Sequence, residues 1–306
     1  MMKKYILLIS MILCIVGCEG MTRERKVDKN HLTGMDYRLF QGTPAWELAK
    51  AVQDEDAEKI KQIIDKSPKL INYQEPIYGG TLLMLTIMNQ QMKSFRLLLE
   101  HKADINIHNT FSGTSAIIEA CNSRDYNIEY LKILIQKGAN VNDVQTGKRR
   151  EGYGVRYTPL MAASGIGGGG LDIVKLLVSN KADINYMNEF DQTAFSESVM
   201  TRHYNVSIFL LQHGADYKRP VFYRPDYSIP SENRDPNDKG QPMYIVDVLR
   251  EDFIDLGTDK HKYKMEIVDF LKSKGIDYRA APIPDYIKKK AQEDYPTTWQ
   301  EYLKEY

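Results

Sequence analysis

Apolar and polar residues alternate with a helical period from about residue 43 onward, and one short phrase closes run after run. Phe95-Arg96-Leu97-Leu98-Leu99-Glu100 leads into Lys102-Ala103-Asp104-Ile105-Asn106, and Leu131-Lys132-Ile133-Leu134-Ile135 leads into Gly138-Ala139-Asn140-Val141-Asn142. The run from Ile173 closes on Lys181-Ala182-Asp183-Ile184-Asn185, that from Ile208 on Gly214-Ala215-Asp216, and that from Ile267 on Gly275-Ile276-Asp277. Apolar residues spaced three and four apart put one stripe on each helix, so every run predicts an amphipathic helix with a defined end.

Upstream of each closure stands a helix start. Five are led by threonine: Thr43-Pro44-Ala45-Trp46, Thr81-Leu82-Leu83-Met84, Thr114-Ser115-Ala116-Ile117, Thr158-Pro159-Leu160-Met161 and Thr193-Ala194-Phe195-Ser196. A sixth, degenerate start is Gln241-Pro242-Met243-Tyr244. A threonine hydroxyl accepts the free amides of a first helical turn, and proline fits the first helical position because its missing N–H is not needed there. The starts recur with a base period near 33 residues, lengthened by insertions.

Cap, helix pair and closing motif recurring in order make the chain resemble the ankyrin-repeat family over residues 38–280. The resemblance implies an all-α solenoid of about six helix-turn-helix repeats with hairpin turns. One amphipathic pair cannot bury its own apolar stripe, so Leu98, Leu99, Leu134, Leu176, Leu177, Leu210 and Leu211 are expected to face neighbouring repeats. Burial of each such leucine contributes roughly 1.5–3 kcal/mol. The histidine usual in the family after the helix start is replaced by Trp46, Met84, Ile117, Met161 and Ser196. The helix-closing glycine is kept at Gly138, Gly214 and Gly275 but is Lys102 and Lys181 elsewhere. That position calls for a left-handed backbone, which costs a non-glycine residue about 1 kcal/mol.

The N-terminus has a different pattern. Met1-Met2-Lys3-Lys4 precedes an apolar run from Tyr5 to Val16 and then Gly17-Cys18. This is expected to be a secretory signal over residues 1–17, too short for a stable span, with a bacterial lipobox that makes Cys18 the acylated N-terminus. Residues 18–37 are polar and charged and read as a lipidated tether. Cleavage removes Lys3, Lys4 and Cys14, leaving Cys121 as the one remaining thiol and no internal disulfide.

Four insertions interrupt the repeats, and residues 281–306 read as a helical tail capping the last one. Residues 143–157 carry Lys148, Arg149, Arg150, Tyr153 and Arg156. They suit either a recognition finger for an acidic or phosphate-bearing partner or a solvated hairpin. Residues 165–170 contain a G-x-G-x-x-G string, but helix flanks it on both sides where a dinucleotide site needs a strand, so it reads as a turn. Residues 219–241 read as an irregular excursion, and residues 251–263 as an insertion inside the last repeat.

Composition narrows the function. With 41 basic and 41 acidic residues among 306, nothing draws the chain globally toward nucleic acid. Three cysteines and six scattered histidines give no metal-ligand spacing, and no nucleophile motif occurs. Cys121 suits a packed position, and His101 and His213 suit helix ends. We therefore expect no cofactor, metal, catalytic residue or small-molecule substrate. Twenty tyrosines are many for this length, and aromatic residues at turns suit interfaces. Tyr78, Phe111, Tyr186 and Phe190, with Arg149, Arg150 and Tyr153 of the insertion, are the candidate partner-binding residues.

The resemblance implies a protein-binding module, here lipid-anchored in a bacterial cell envelope, facing the periplasm, with an outer-membrane lean from Glu19 after Cys18. A sharper expectation is an immunity protein that occludes a periplasm-acting toxin, since lipid-anchored ankyrin proteins look like antidotes to such lipases. The alternatives are an envelope enzyme or enzyme accessory with its site in the inserted loops, and a chaperone with promiscuous weak binding.

Overall fold

A computed structural model describes residues 23–122, 127–147, 156–165, 167, 170–235 and 238–306. The expected signal peptide and Cys18 lie outside them, as do Arg149, Arg150 and Tyr153. Mostly helical, with helices in pairs, the chain divides into two compact units. One runs to Ala116 and takes in Thr146–Lys148; the other comprises Ile117–Gln145 and Arg149–Tyr306.

In the first unit α1 (Trp46–Gln53) packs on α2 (Ala57–Lys66), and α3 (Leu82–Met88) on α4 (Met92–Glu100). Leu82, Leu83, Met84, Leu85 and Ile87 are all buried, because α3 is apolar on every side and lies against both α4 and α1. Helix α4 is two-faced: Phe95, Leu98 and Leu99 point in, while Arg96 and Glu100 are exposed. Ser94 is buried on α4 without an unmet donor, since its Oγ reaches the Val52 carbonyl of α1 at 2.8 Å.

The second unit begins with the short α5 (Ala116–Glu119), at which the division falls, and α6 (Glu129–Gln136). Next come α7 (Pro159–Ser164) paired with α8 (Gly170–Ser179), and α9 (Ala194–Met200) paired with α10 (Tyr204–Gln212). Helix α9 also packs on α7 and on α11 (Ile245–Arg250), and α10 on α12 (Asp259–Ser273). The expected apolar stripe is buried at Leu98, Leu99, Leu134, Leu177, Leu210 and Leu211. Leu176 is only half-buried.

Three of the five threonine starts cap as expected. Thr81, Thr158 and Thr193 accept the amides of Met84, Met161 and Ser196 at 3.4, 3.2 and 3.1 Å. Thr43 differs: its hydroxyl donates to the Phe40 carbonyl at 2.7 Å, and α1 starts only at Trp46, with Ala45 at the cap. The 3-10 turn Tyr37–Phe40 ahead of it takes that hydroxyl before the helix can.

Two insertion boundaries are corrected. Residues 219–241 do not run irregularly into a helix. Strand β1 (Phe222–Arg224) pairs antiparallel with β2 (Gln241–Met243), Tyr223 standing opposite Pro242. A two-stranded edge tolerates Pro242 because no further strand needs its amide, so Tyr244, not Gln241, is the cap of α11. Residues 259–263, assigned to an insertion, form the first turn of α12, which Thr258 caps through the His261 amide at 3.2 Å.

The tail forms two packed helices, α13 (Asp285–Asp294) and α14 (Trp299–Glu305). Ile287, Ala291, Tyr302 and Tyr306 make a small core with Phe253, Tyr295, Trp299 and Leu303 around it. Tyr302 stacks on Phe253 at 4.8 Å, and its hydroxyl donates to the Ile254 carbonyl at 2.9 Å.

Candidate functional site

The turns between helix pairs are held by polar anchors. Glu75, only 2% exposed, accepts the amides of Ile77, Tyr78 and Gly80 at 2.7, 2.9 and 2.9 Å. Asn109 accepts those of Ser112 and Gly113, and Asn188 those of Phe190 and Gln192. At the base of the basic insertion, the Gln145 amide donates to the Tyr157 carbonyl at 3.1 Å. A tip fixed this way presents its side chains with little entropy left to lose on binding.

In the first unit, Tyr78 and Phe111 are brought together and spent largely on each other. Their rings meet edge-on at 5.3 Å, and the Tyr78 hydroxyl donates to the Leu32 carbonyl at 2.8 Å. Both are half-buried.

The second unit keeps more of its turn aromatics open. Tyr186 is half-buried, and its phenol is pushed up by that burial and then by Glu189, with Arg156 opposing. Met187, Phe190 and Met200 expose 40%, 41% and 46% of their surfaces. Phe190 and Met200 line a cavity of 280 Å³ with Val221, Phe222, Tyr223 and Lys239. A cavity of 390 Å³ shares Met200 and Phe222 with it, and adds Arg202, Val248, Asp252 and Tyr286 among its walls. Clustered exposed Met and aromatic side chains mark interaction surfaces rather than ordinary solvent faces.

Arg202 enters this surface by a device that also appears elsewhere in the chain. Glu55, Gln90 and Arg202 each stand two residues after the first helix of a pair, at φ of 54°, 57° and 60°. Glycine would hold that conformation freely; Gln90 Nε2 donates back to the Ile87 carbonyl at 3.3 Å, whereas Glu55 and Arg202 reach toward the next repeat. Glu55 Oε1 accepts the Lys93 and Ser94 amides at the start of α4. Arg202 Nε lies 2.9 Å from Asp252 Oδ1. Asp252 is buried, and its Oδ2 accepts the Tyr204 hydroxyl at 2.6 Å. Sequence reading missed Met200, Arg202, Phe222, Asp252 and Tyr286. Gln90, Gly167 and Arg202 each follow a threonine start by nine residues, and a glycine-compatible position filled by arginine was the available signal.

Among the described residues no group of three His, Cys, Asp or Glu side chains is placed to hold a metal ion, and no helix is long and apolar enough to cross a membrane. Cys121 is fully buried, and burial followed by the charge of Glu119 pushes its thiol up, away from the nucleophilic thiolate. His101 and His213 stand at the caps of α4 and α10.

Family models match two stretches of the chain: ankyrin repeats in three copies over residues 48–145, and ankyrin repeats in many copies over residues 160–211. No curated protein matches.

Proposed function

The chain is an ankyrin-repeat protein, and from that premise we propose that it binds another protein through the turn tips and neighbouring helix ends of its repeats, while tethered to a bacterial cell envelope. Ankyrin repeats are generally non-catalytic binding modules, so protein partners are the general expectation for such a chain. The observation that carries the reading is the open apolar surface of Met187 and Phe190 around the turn that Asn188 anchors, with Met200 at the end of α9. Tyr186 and Phe190 belong to that surface, and Tyr78 and Phe111 offer a smaller, self-packed edge; Arg149, Arg150 and Tyr153, outside the described residues, are proposed as partner contacts on their sequence alone.

The envelope location rests on sequence alone, on the basic start, the apolar run and Gly17-Cys18. Acylation of Cys18 leaves the domain facing the periplasm on a short charged tether, confining its search to a membrane. Within this reading the partner is a periplasm-acting toxin whose active site the repeats occlude, as an immunity protein does. Rigid presentation supports that role, because an inhibitor loses least entropy when its contact residues are ordered beforehand.

Crosslinking in intact cells, followed by pull-down of the tagged full chain, tests the reading. A specific envelope protein, captured by the native chain and lost with F190D or M200D, is the expected result. Capture that ignores both substitutions dismisses this surface, and a captured toxin whose co-expression is no less harmful dismisses immunity.

A further inference from the structure

The 390 Å³ cavity of the second unit joins apolar walls to a placed cation. Phe222, Val248, Met200 and Tyr286 supply the walls, the last two being 46% and 54% exposed. The guanidinium of Arg202 stands at its edge, 55% exposed, although the carboxylate it pairs with is 3% exposed. Nε lies 2.9 Å from Asp252 Oδ1 in a contact without hydrogen-bond geometry, and among the described residues the Arg202 side chain donates no hydrogen bond. A guanidinium that gives no N–H to a hydrogen bond keeps its two-pronged fork open for a planar anion.

Charge around the cavity selects the sign of the ligand. Glu251 is already held by Arg224, whose Nη1 lies 2.8 Å from its Oε1. Asp252 is covered by Arg202 on one side, and Lys264 donates to its backbone carbonyl at 3.1 Å from behind. Arg250 adds a further buried cation next along α11, 4.0 Å over the Tyr278 ring. The two carboxylates that line the cavity are thus each matched by an arginine, Glu251 by Arg224 and Asp252 by Arg202, which leaves the Arg202 fork as the group there with donors to spare. A second cation finds both carboxylates already taken, and Asp252 Oδ1 lies beside Arg202. An anion meets an open fork.

We infer that this cavity receives a glutamate or aspartate side chain of the partner protein, its carboxylate taken by the outward amino groups of Arg202 while an apolar neighbour of that acid packs on Met200, Phe222 and Tyr286. The inference rests on the protein-binding reading above and narrows it to an acidic segment that also carries an apolar residue. A carboxylate answers the fork with two parallel charge-assisted bonds, whereas a carboxamide of the same shape brings no charge and one acceptor fewer.

Short peptides test the cavity without knowledge of the partner. The full chain, labelled at methionine methyls and arginine Nε, is titrated with acetyl-Leu-Glu-Leu-amide, with its glutamine isostere, and with acetyl-Leu-Gln-Leu bearing a free C-terminal carboxylate. The glutamate peptide is expected to shift the Met200 methyl and Arg202 Nε–H signals together, at least tenfold more tightly than the isostere, and R202Q is expected to abolish the response. If R202Q does not fold, M200E at the exposed rim is the second variant, expected to weaken the glutamate peptide at least tenfold more than the glutamine peptide, which loses only the apolar contact. Equal affinity for glutamate and glutamine peptides, indifference to both substitutions, or no shift with any peptide overturns the inference. Tighter binding of the free C-terminal carboxylate overturns the choice of an acidic side chain. Failure to capture an envelope partner leaves the peptide result standing, so the two ideas fail separately.

Discussion

Asn142 and Asp183 sit 41 residues apart in sequence, yet Asn142 Oδ1 accepts the Asp183 amide at 2.7 Å. The Asn142 Nδ2 group completes the clasp by donating to the Lys181 carbonyl at 3.2 Å. Asn185 repeats the arrangement one repeat later, with the Asp216 amide at 2.9 Å and the Gly214 carbonyl at 3.0 Å. In the first unit Asn72 takes the Asp104 amide at 2.8 Å. The asparagine that closes one repeat therefore supplies the hydrogen bonds that the next closing loop lacks. Asn142→Ala leaves two backbone groups without their partner at an exposed site, and is expected to lower stability by about 1 kcal/mol. Urea denaturation of the two proteins reads this; an unmoved midpoint shows that water replaces the clasp at no cost.

Lys102 and Lys181 adopt φ of 65° and 67° where Gly138, Gly214 and Gly275 adopt 88°, 95° and 83°. The left-handed closure expected from the motif is therefore the one both lysines take. Their Cβ atoms crowd the following carbonyl, which costs about 1 kcal/mol each. Lys102→Gly is expected to raise stability by roughly 0.5–1 kcal/mol, reduced from the full amount because glycine also frees the unfolded chain. A lowered denaturation midpoint contradicts the strain argument.

What the sequence disclosed follows how far apart the interacting groups stand. Thr81, Thr158 and Thr193 were legible because a cap reaches only three residues ahead. The Gln241 start was misread because β2 exists only through Phe222–Arg224, and nothing in Gln241-Pro242-Met243 announces that distant partner. Tyr78 was rightly placed at a turn, but its edge contact with Phe111, 33 residues on, is a tertiary fact. The Arg202 cavity was invisible for the same reason: α9, β1, α11 and α13 each contribute to its walls.

The proposed acylation of Cys18 makes a prediction independent of the fold. On that proposal Cys18→Ser removes the sulfur that would carry the first acyl group, and a polar tether alone cannot hold the domain to a bilayer. Radiolabelled palmitate is expected to mark the native chain and not the variant, which moves from the membrane pellet to the soluble periplasmic fraction. Equal labelling of both chains removes Cys18 as the anchor.

Lys264 is wholly buried on α12, with Nζ 3.9 Å above the Tyr306 ring, and desolvation lowers its ammonium to about 7 despite the opposing charge of Asp252. In the unfolded chain the same group holds its proton up to about pH 10.4. Between these values the unfolded state binds the extra proton, so stability is lowest below pH 7 and rises as pH climbs from about 7 toward 10. Above that range the buried tyrosines reverse the trend. Tyr302 and Tyr306 are pushed above the usual phenol range by burial, so their unfolded forms ionise first and stability falls. Lys264→Met keeps the length of the side chain and removes the charge. It is expected to flatten the rise between pH 7 and 10 and to stabilise the fold at pH 7 by about 1–3 kcal/mol, as replacement of a buried ion by an apolar isostere commonly does. Thermal melts of both proteins across that range decide it: parallel curves mean that Lys264 enters the fold still protonated, with Tyr306 and the Asp252 carbonyl offsetting its burial.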